Sequence, residues 1–160
     1  MEQIVVPELA SAGMPRELFH NEWIASASAA CQNNIEKILI QLCASDIVQS
    51  CRPSLPATLN QLDLLPGPCI LQVIDGGDVG QLHGKPDRNL GQRTLKLALT
   101  DGVRTVYALE WRPISGLTGR YGMKLLCRNV PVRLSHLLLC TENTFVLGGS
   151  VPCKVEPVVR

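Results

Sequence analysis

The stretch LALTDGVRTVYALEW, from Leu97 to Trp111, decides the fold of this chain of 160 residues. Apolar and polar residues alternate on both sides of Asp101-Gly102, and an alternation of period two is typical of a half-buried β-strand. An Asp-Gly pair tolerates the positive φ that a tight turn requires. The stretch therefore predicts a β-hairpin with Asp101 and Gly102 at its turn.

The residues before the hairpin follow a helical pattern. From about Glu17 to Cys51 the sequence predicts a compact module of three helices. Asn33 followed by Glu36 indicates a capping box at the start of the second helix. Ser45 is expected to cap a third, short helix over residues 46–50.

From Gly67 onward the sequence predicts β-strands separated by short breakers. About five strands, with one interruption between the third and the fourth, favour a small closed barrel of the OB type, whereas a β-sandwich would need more strands. The fold class is thus α+β, with an N-terminal three-helix module followed by a five-stranded OB-fold β-barrel. We place the helical module at residues 1–60, the barrel at 61–152 and a tail at 153–160. The predicted strands are Cys69–Ile74, Arg93–Thr100, Val103–Trp111, Met123–Arg128, roughly Val132–Cys140, and Thr144–Leu147.

A long loop lies between the first two predicted strands, from Asp75 to Gln92, and it is rich in glycine. Loops of this length inside a compact domain are typically functional or disordered. Its glycines do not match the G-x-G-x-x-G fingerprint, and a phosphate-loop Lys-Ser/Thr pair is absent. Asp75 and Asp78 also lack the spacing of a calcium loop. The loop is therefore interpreted as a binding element, with a flexible connection as the alternative.

Charge is distributed unevenly, although the net charge is only +1. Residues 1–80 hold three Lys/Arg and nine Asp/Glu, whereas residues 81–136 hold ten Lys/Arg and three Asp/Glu. Such asymmetry favours an anionic partner for the second half, either a nucleic acid or an acidic protein face. Ordinary solvated charges on strand faces would explain the asymmetry equally well.

Seven cysteines are present, but neither a disulfide framework nor a zinc site fits them, because no C-x-x-C pair occurs and the count is odd. Several lie in apolar runs, where a free thiol behaves as a small hydrophobic group. This predicts core thiols and a reducing intracellular compartment. The apolar runs fall short of the roughly 20 residues that cross a bilayer, and the N-terminus lacks the features of a signal peptide, so no membrane association is expected.

The sequence contains no recognisable catalytic constellation. The three histidines are scattered, and neither a nucleophile elbow nor an H-E-x-x-H motif occurs. His136, beside three leucines, is interpreted as a strand residue rather than a base. Acidic residues are too sparse in the β half for a catalytic pair of carboxylates. The sequence thus predicts a protein that is not an enzyme and that uses no metal or cofactor.

Several short motifs follow one another after the helical module. They are GPCILQV (67–73), LxLTDG (97–102), ALEW (108–111), VRL (132–134) with LLL (137–139), and VLGG (146–149). In this order they resemble the N-terminal region of the RecQ-mediated genome instability protein 1 family and of its relative, Tudor domain-containing protein 3. The resemblance covers roughly residues 23–151.

The resemblance implies an accessory subunit that binds a type IA topoisomerase, topoisomerase III, through its OB-fold. With a RecQ-type helicase, such a subunit supports double Holliday junction dissolution in the nucleus, and hence homologous recombination, DNA repair, DNA replication and genome stability. It further implies that the loop of residues 75–92 reaches toward the topoisomerase gate, and that DNA is contacted indirectly or weakly. The candidate partner-binding residues are Val79, Leu82 and Leu90 for apolar contact, and His83, Lys85, Arg88 and Arg93 for an acidic gate or passing DNA.

Two alternatives remain at this point. An OB-fold can bind single-stranded nucleic acid by itself, by stacking bases on exposed aromatic side chains in a basic groove. The aromatic residues of the β half are few, and the parity of Tyr107 and Trp111 predicts that they point inward or lie at a rim, so we expect weak binding to single strands. The second alternative is an RNA-linked topoisomerase adaptor of the Tudor type.

Overall fold

The computed structural model describes residues 14–79 and 94–149. Three helices come first, α1 (Asn21–Ala30), α2 (Ile35–Ala44) and α3 (Ile47–Ser50). Short 3₁₀ turns lie at Arg16–Leu18 and Leu59–Gln61. The predicted three-helix module is present.

The N-caps of α2 and α3 lie one residue after the predicted ones. The side chain of Asn34 accepts a hydrogen bond from the amide of Lys37 at 3.2 Å, and that of Asp46 accepts one from the amide of Val48 at 3.0 Å. Asn33 has a φ of 60°, which is incompatible with the extended backbone of an N-cap. The hydroxyl of Ser45 donates instead to the carbonyl of Leu42 at 2.7 Å and so closes the end of α2. The predicted capping roles of Asn33 and Ser45 are therefore wrong.

The β half is one curled sheet of eight strands, in the order β1-β6-β7-β4-β3-β2-β5-β8. The β4 and β7 strands pair in parallel, and the other pairs are antiparallel. Only two residues separate β5 from β6 in the chain, although the two strands lie near opposite ends of the order. The sheet therefore curls back on itself, as the OB-type prediction requires. The strands are β1 (Leu64–Leu65), β2 (Cys69–Asp78), β3 (Leu95–Thr100), β4 (Thr105–Glu110), β5 (Lys124–Cys127), β6 (Val130–Arg133), β7 (His136–Leu139) and β8 (Thr144–Gly148).

The five-stranded count is not confirmed: eight strands are present, two more than the six predicted segments, and two features account for the additional strands. The β1 strand has only two residues, which is too short for a periodic pattern to reveal. The predicted strand over residues 132–140 is in fact a hairpin, because a two-residue turn at Leu134 and Ser135 separates β6 from β7. Both turn residues have positive φ, 51° and 65°, which is the backbone of a type I′ turn. Neither residue is the Asn or Gly that normally indicates such a turn.

The hairpin at residues 97–111 is present, with Gly102 at a φ of +102°. Its loop has four residues rather than two, and β4 begins at Thr105 rather than at Val103. One oxygen of the Asp101 carboxylate accepts hydrogen bonds from the amides of Val103 at 2.9 Å and Arg104 at 2.7 Å. These two bonds hold both residues in the turn and delay the start of the strand.

The predicted loop after the first strand begins later than expected. The β2 strand continues to Asp78, and the residues from Asp75 to Asp78 pair with those from Ala98 back to Leu95 after a register shift between Val73 and Asp75. Residues 75–78 therefore belong to the strand. The rest of the predicted loop, over residues 80–92, lies outside the described residues.

Two hydrophobic cores organise the molecule. The first lies inside the curled sheet and contains the inward side chains of its strands, such as Leu97, Leu125 and Leu137. The second is the core of the helical module, and it includes Ile70 of β2 and Leu126 of β5. The helices therefore pack on the outer face of β2 and β5, so that these strands are buried on both sides.

Candidate partner-binding surface

Buried polar groups fasten the helical module to the sheet. The Lys124 ammonium group on β5 donates to the carbonyl of Ser45, at the end of α2. The side-chain oxygen of Gln72 on β2 accepts from the amide of Ile47, in the first turn of α3, at 3.2 Å. Lys124 and Gln72 are 0% and 2% exposed. We call this contact between module and sheet the joint.

The buried carboxylate of Asp101 forms a second part of the joint. Its other oxygen accepts hydrogen bonds from the amides of Ser54 and Leu55 at 3.0 and 2.8 Å. These residues belong to the segment that leads from the module into the sheet, and Asp101 itself is 0% exposed. One carboxylate thus receives four amide N–H groups, two from its own turn and two from the incoming chain.

Gly149 brings the end of the described chain against α2. A Cβ atom at this position would lie 2.5 Å from the carbonyl oxygen of Cys43, and the φ of Gly149 is +104°. The thiol of Cys43 also donates to the carbonyl of Leu147 at 3.2 Å. The LTDG and VLGG motifs, on which the sequence resemblance depends, therefore both build the joint.

Burial shifts the pKa values of the ionisable groups at the joint. Desolvation lowers the pKa of Lys124, and the nearby Cys51 and Cys43 oppose that shift. Desolvation raises the pKa of the Cys51 thiol to about 11, although a hydrogen bond with Ser50 and the charge of Lys124 each lower that pKa. Desolvation also raises the pKa of the Cys127 thiol, in the barrel core, to about 12. Thiols held protonated in this way are poor nucleophiles.

The base of the predicted binding loop is held rigidly by β2 and β3. The amide of Val79 donates to the carbonyl of Thr94 at 2.9 Å, and the amide of Thr94 donates to the carboxylate of Asp78 at 3.1 Å. Gly76 and Gly119 approach so closely that a Cβ on Gly76 would lie 2.8 Å from the Gly119 Cα. The two ends of the segment 80–93 are therefore fixed next to each other.

Among the candidate partner-binding residues, the structure describes Val79 alone, and that residue is half-buried in a turn at the loop base. The others, Leu82, His83, Lys85, Arg88, Leu90 and Arg93, lie outside the described residues. Their role stays a prediction.

The outer face of β3, β4 and β7 differs from that of β2 and β5, because no helix in the described part of the chain covers it. We call it the open face and define it by Lys96, Tyr107 and His136. The Lys96 Nζ atom lies 5.2 Å from the centre of the Tyr107 ring, and the ring of His136 lies 6.0 Å from it. Cross-strand pairing of Tyr107 with His136 accounts for the second contact.

The prediction that Tyr107 and Trp111 point inward or lie at a rim is wrong for Tyr107. Val106, Ala108 and Glu110 are the buried residues of β4, whereas Tyr107 on the outer face is 46% exposed. Trp111, just beyond the end of the strand, is 64% exposed. Parity along the strand was correct, but parity alone does not tell which side faces the core. Pairing decides it, because the inward Leu99 and Leu97 of β3 lie opposite Val106 and Ala108.

Trp111 stands beside the loop base. The last pair of β3 and β4 joins Lys96 with Leu109, so Trp111 follows β4 at the same end of the two strands as the loop base. The amide of Trp111 donates to the carbonyl of Leu139 at 2.7 Å. The buried carboxylate of Glu110 accepts from the amide of Ile114 at 2.9 Å and so fixes the following turn. An exposed tryptophan on a rigid backbone is a typical energetic centre of a protein interface. Its exposure was not evident from the sequence.

The described residues offer little for catalysis. Residues 14–79 and 94–149 contain no group of three His, Cys, Asp or Glu side chains placed to hold a metal ion. The Nδ1 atom of His136 donates to the carbonyl of Leu134 at 2.9 Å, which commits that nitrogen to a structural contact. The six cysteines in the same ranges are all free thiols. Nor does any helix in them have the length and apolar character to span a membrane.

Comparison with known proteins connects this architecture to a family. Residues 81–156 match the family model described as RMI1, N-terminal OB-fold domain. RecQ-mediated genome instability protein 1 of Arabidopsis thaliana is 34% identical over 133 residues, which are 80% of this chain and 20% of that protein. The chain is a relative of RecQ-mediated genome instability protein 1.

The same name recurs among other relatives. RecQ-mediated genome instability protein 1 of Danio rerio is 48% identical over 67 residues, 40% of this chain and 13% of that protein. Tudor domain-containing protein 3 of Xenopus tropicalis is 30% identical over 117 residues, 70% of this chain and 16% of that protein. The resemblance to both proteins is confirmed. The chain matches a fifth or less of the length of each of these three relatives.

Proposed function

We propose that this protein is a non-catalytic accessory subunit that binds a type IA topoisomerase, topoisomerase III, through its OB-fold and supports genome stability. The observation that carries the proposal is the match to RecQ-mediated genome instability protein 1 over 80% of the chain. The name of that relative also supports a functional link with a RecQ-type helicase. In this role the protein would act in the nucleus, in the dissolution of double Holliday junctions during recombination.

The geometry of the sheet supports a binding role over a catalytic one. Its buried ionisable groups, Lys124 and Asp101, are engaged by backbone groups at the joint. By contrast, Trp111 is exposed on a fixed turn at the same end of β3 and β4 as the base of the segment 80–93. We infer that Trp111 anchors the topoisomerase, while the segment 80–93 acts on its gate. A segment rich in glycine loses much conformational entropy when it docks, so it adds little net affinity.

The test uses the full chain with a type IA topoisomerase and compares two variants. In the first variant, residues 80–92 are replaced by a Gly/Ser linker of equal length, which keeps the hydrogen bond between Val79 and Thr94. We expect binding in a calorimetric titration to stay within about tenfold, a change of ~1.4 kcal/mol. The stimulation of decatenation should be largely lost, because the segment would bias the open and closed states of the gate.

The second variant, Trp111→Ala, is expected to weaken binding by tenfold or more, about the effect of removing an interface anchor. Phe145→Ala is its matched control. Phe145 is 66% exposed on β8, and pairing through Leu126 aligns it with Ile70, at the opposite end of β2 from the loop base. A full chain that fails to bind the topoisomerase would refute the proposed function. If the loop variant loses binding and Trp111→Ala keeps it, the segment 80–93 is the anchor and Trp111 is not.

A further inference from the structure

The loop that joins β4 to β5, residues 111–123, is fixed along its length. Ile114 and Leu117 anchor it in the barrel core, where they are 3% and 1% exposed. Near its far end, the amide of Gly122 donates to the carbonyl of Val73 at 2.9 Å. We call this segment the β4–β5 loop. Because it is held by buried side chains and by β2, its backbone can support other parts of the barrel.

The middle of the β4–β5 loop lies against the end of β2, where the backbones of Gly119 and Gly76 meet. A Cβ atom on Gly119 would lie 2.8 Å from the carbonyl carbon of Gly76. Gly76 pairs directly with Leu97, which is fully buried in the barrel core, and directly paired residues present their side chains on the same face of a sheet. The backbone of Gly119 therefore occupies the inner side of β2, where a side chain of residue 76 would lie.

The close approach explains why both positions are glycine. Neither Gly76 nor Gly119 has a positive φ, so a left-handed backbone is not the reason. A side chain at either position would instead separate the two backbones. Gly77, the next residue of β2, differs, because a Cβ atom there would meet no described atom within 4 Å beyond its chain neighbours. The requirement for glycine is thus specific to the contact.

The contact supports a part of β2 that has lost one of its neighbouring strands. The pairing of β2 with β5 runs from Cys69 to Gln72, whereas its pairing with β3 continues to Asp78. Beyond Gln72, the β4–β5 loop replaces β5 as the second support of β2 within the described part of the chain. This end of β2 leads directly to the loop base, where Val79 and Thr94 are hydrogen-bonded.

We propose that Gly119 is a positioning residue for the topoisomerase contact, because it holds the end of β2 and so couples the anchor Trp111 to the segment 80–93. This inference rests on the proposed function. Trp111 is the first residue of the β4–β5 loop, and Gly119 lies in the same fixed loop. A topoisomerase bound at Trp111 is therefore held in a set position relative to the loop base. Loss of the Gly119 contact displaces the loop base and leaves the anchor in place.

Three variants of the full chain test the proposal. Gly119→Ala separates the two backbones, and Gly76→Ala does so from the opposite side. Gly77→Ala is the matched control, since it adds the same methyl group to the same strand in open space. Thermal unfolding shows whether each variant is folded. If Gly119→Ala does not fold, Gly76→Ala provides the test, because the atom nearest to its added Cβ is the movable tip of the Leu97 side chain, at 2.6 Å.

The first measurement separates binding from activity with a type IA topoisomerase. In a calorimetric titration, Gly119→Ala and Gly76→Ala should bind within about threefold of the wild-type affinity, since the exposed anchor is unchanged. Both should lower the stimulation of decatenation at least about fivefold, because a small misplacement of a positioned group has a large effect on rate. Gly77→Ala should keep both binding and stimulation.

The second measurement is hydrogen exchange in the free chain, and it is independent of the topoisomerase. The amides of Val79 and Thr94 donate the hydrogen bonds of the loop base, so their exchange reports how firmly the base is held. We expect both amides to exchange at least about threefold faster in Gly119→Ala and Gly76→Ala than in Gly77→Ala. Amides at the centre of β4 should exchange at the same rate in all three variants.

Three results would overturn the proposal. One is full stimulation of decatenation by Gly119→Ala and Gly76→Ala, and another is unchanged exchange at Val79 and Thr94 in both variants. The third is an equal loss of stimulation in Gly77→Ala. If the wild-type chain does not bind the topoisomerase, the proposed function fails and the coupling fails with it, whereas binding with unaltered stimulation in the variants refutes the coupling alone.

Discussion

Asp101 shows how much one residue contributes to this structure. Its buried carboxylate accepts four amide hydrogen bonds, at 2.7, 2.9, 2.8 and 3.0 Å. Asp101→Ala would remove all four acceptor contacts and leave the buried amide of Leu55 and three part-buried amides without this partner. We expect a loss of at least about 3 kcal/mol in the free energy of unfolding. Chemical denaturation measures this loss.

Asp63→Ala is the control for Asp101→Ala, since Asp63 is exposed and its replacement should change stability by less than about 0.5 kcal/mol. Similar stabilities for the two variants would show that the Asp101 contacts contribute little. The sequence correctly placed Asp101 in a turn, because Asp-Gly has a local conformational preference. It could not reveal the contacts to Ser54 and Leu55, because they join residues 47 and 46 positions apart.

At the scale of single elements, the turn between β6 and β7 carries an unusual residue. Leu134 has a φ of 51° and is 93% exposed. A branched apolar side chain is unfavourable in the left-handed region, and its exposure gives no compensating burial. Replacement of Leu134-Ser135 by Asn-Gly, the preferred pair for a type I′ turn, should raise the free energy of unfolding by about 1 kcal/mol.

Differential scanning calorimetry tests this change, and Leu134→Ala separates the loss of the side chain from the change in backbone preference. A drop in melting temperature for the Asn-Gly variant would mean that Leu134 stabilises the turn by contacts of its own. This turn also explains why the sequence predicted one strand where two exist. Local turn preferences were strong at residues 101–102 and absent at 134–135, so the first hairpin was found and the second was not.

At the scale of the whole molecule, the joint makes module and sheet one unit. Its buried groups also make stability depend on alkaline pH. The Cys51 thiol has a pKa of about 11 in the folded protein and an ordinary value of 9.0. A raised folded pKa gives stability that is complete below pH 9 and is lost as the pH rises toward 11. The two-unit difference corresponds to about 3 kcal/mol.

The measurement compares the free energy of unfolding of the wild-type protein with that of Cys51→Ala from pH 7 to about 11. The difference between the two proteins should shrink by about 3 kcal/mol above pH 9. Lys124 acts in the opposite direction, because its pKa is lowered by burial, and the comparison between the two proteins largely removes its contribution. A constant difference between them across this range would contradict the prediction.

The sequence predicted the division into helices and strands and the OB-type barrel, since both follow from periodicity along the chain. It assigned the helical module and the barrel to separate residue ranges, 1–60 and 61–152. It did not predict that Lys124 and Gln72 reach from the sheet to Ser45 and Ile47, because a buried lysine in an apolar strand has no local pattern. The open face was missed for a related reason: its residues come together only through pairing across β3, β4 and β7.

The hydrogen bond between Val79 and Thr94 gives the barrel an attachment point for inserted sequence. The ends of the segment 80–93 are already held together by β2 and β3, so a foreign peptide grafted there would not need to close the gap itself. Each doubling of the insert length would add only about 0.6 kcal/mol of closure entropy. The same arrangement lets evolution lengthen, shorten or rewrite the segment while the core is left unchanged. The sequence at this edge of the barrel can thus diversify independently of the fold.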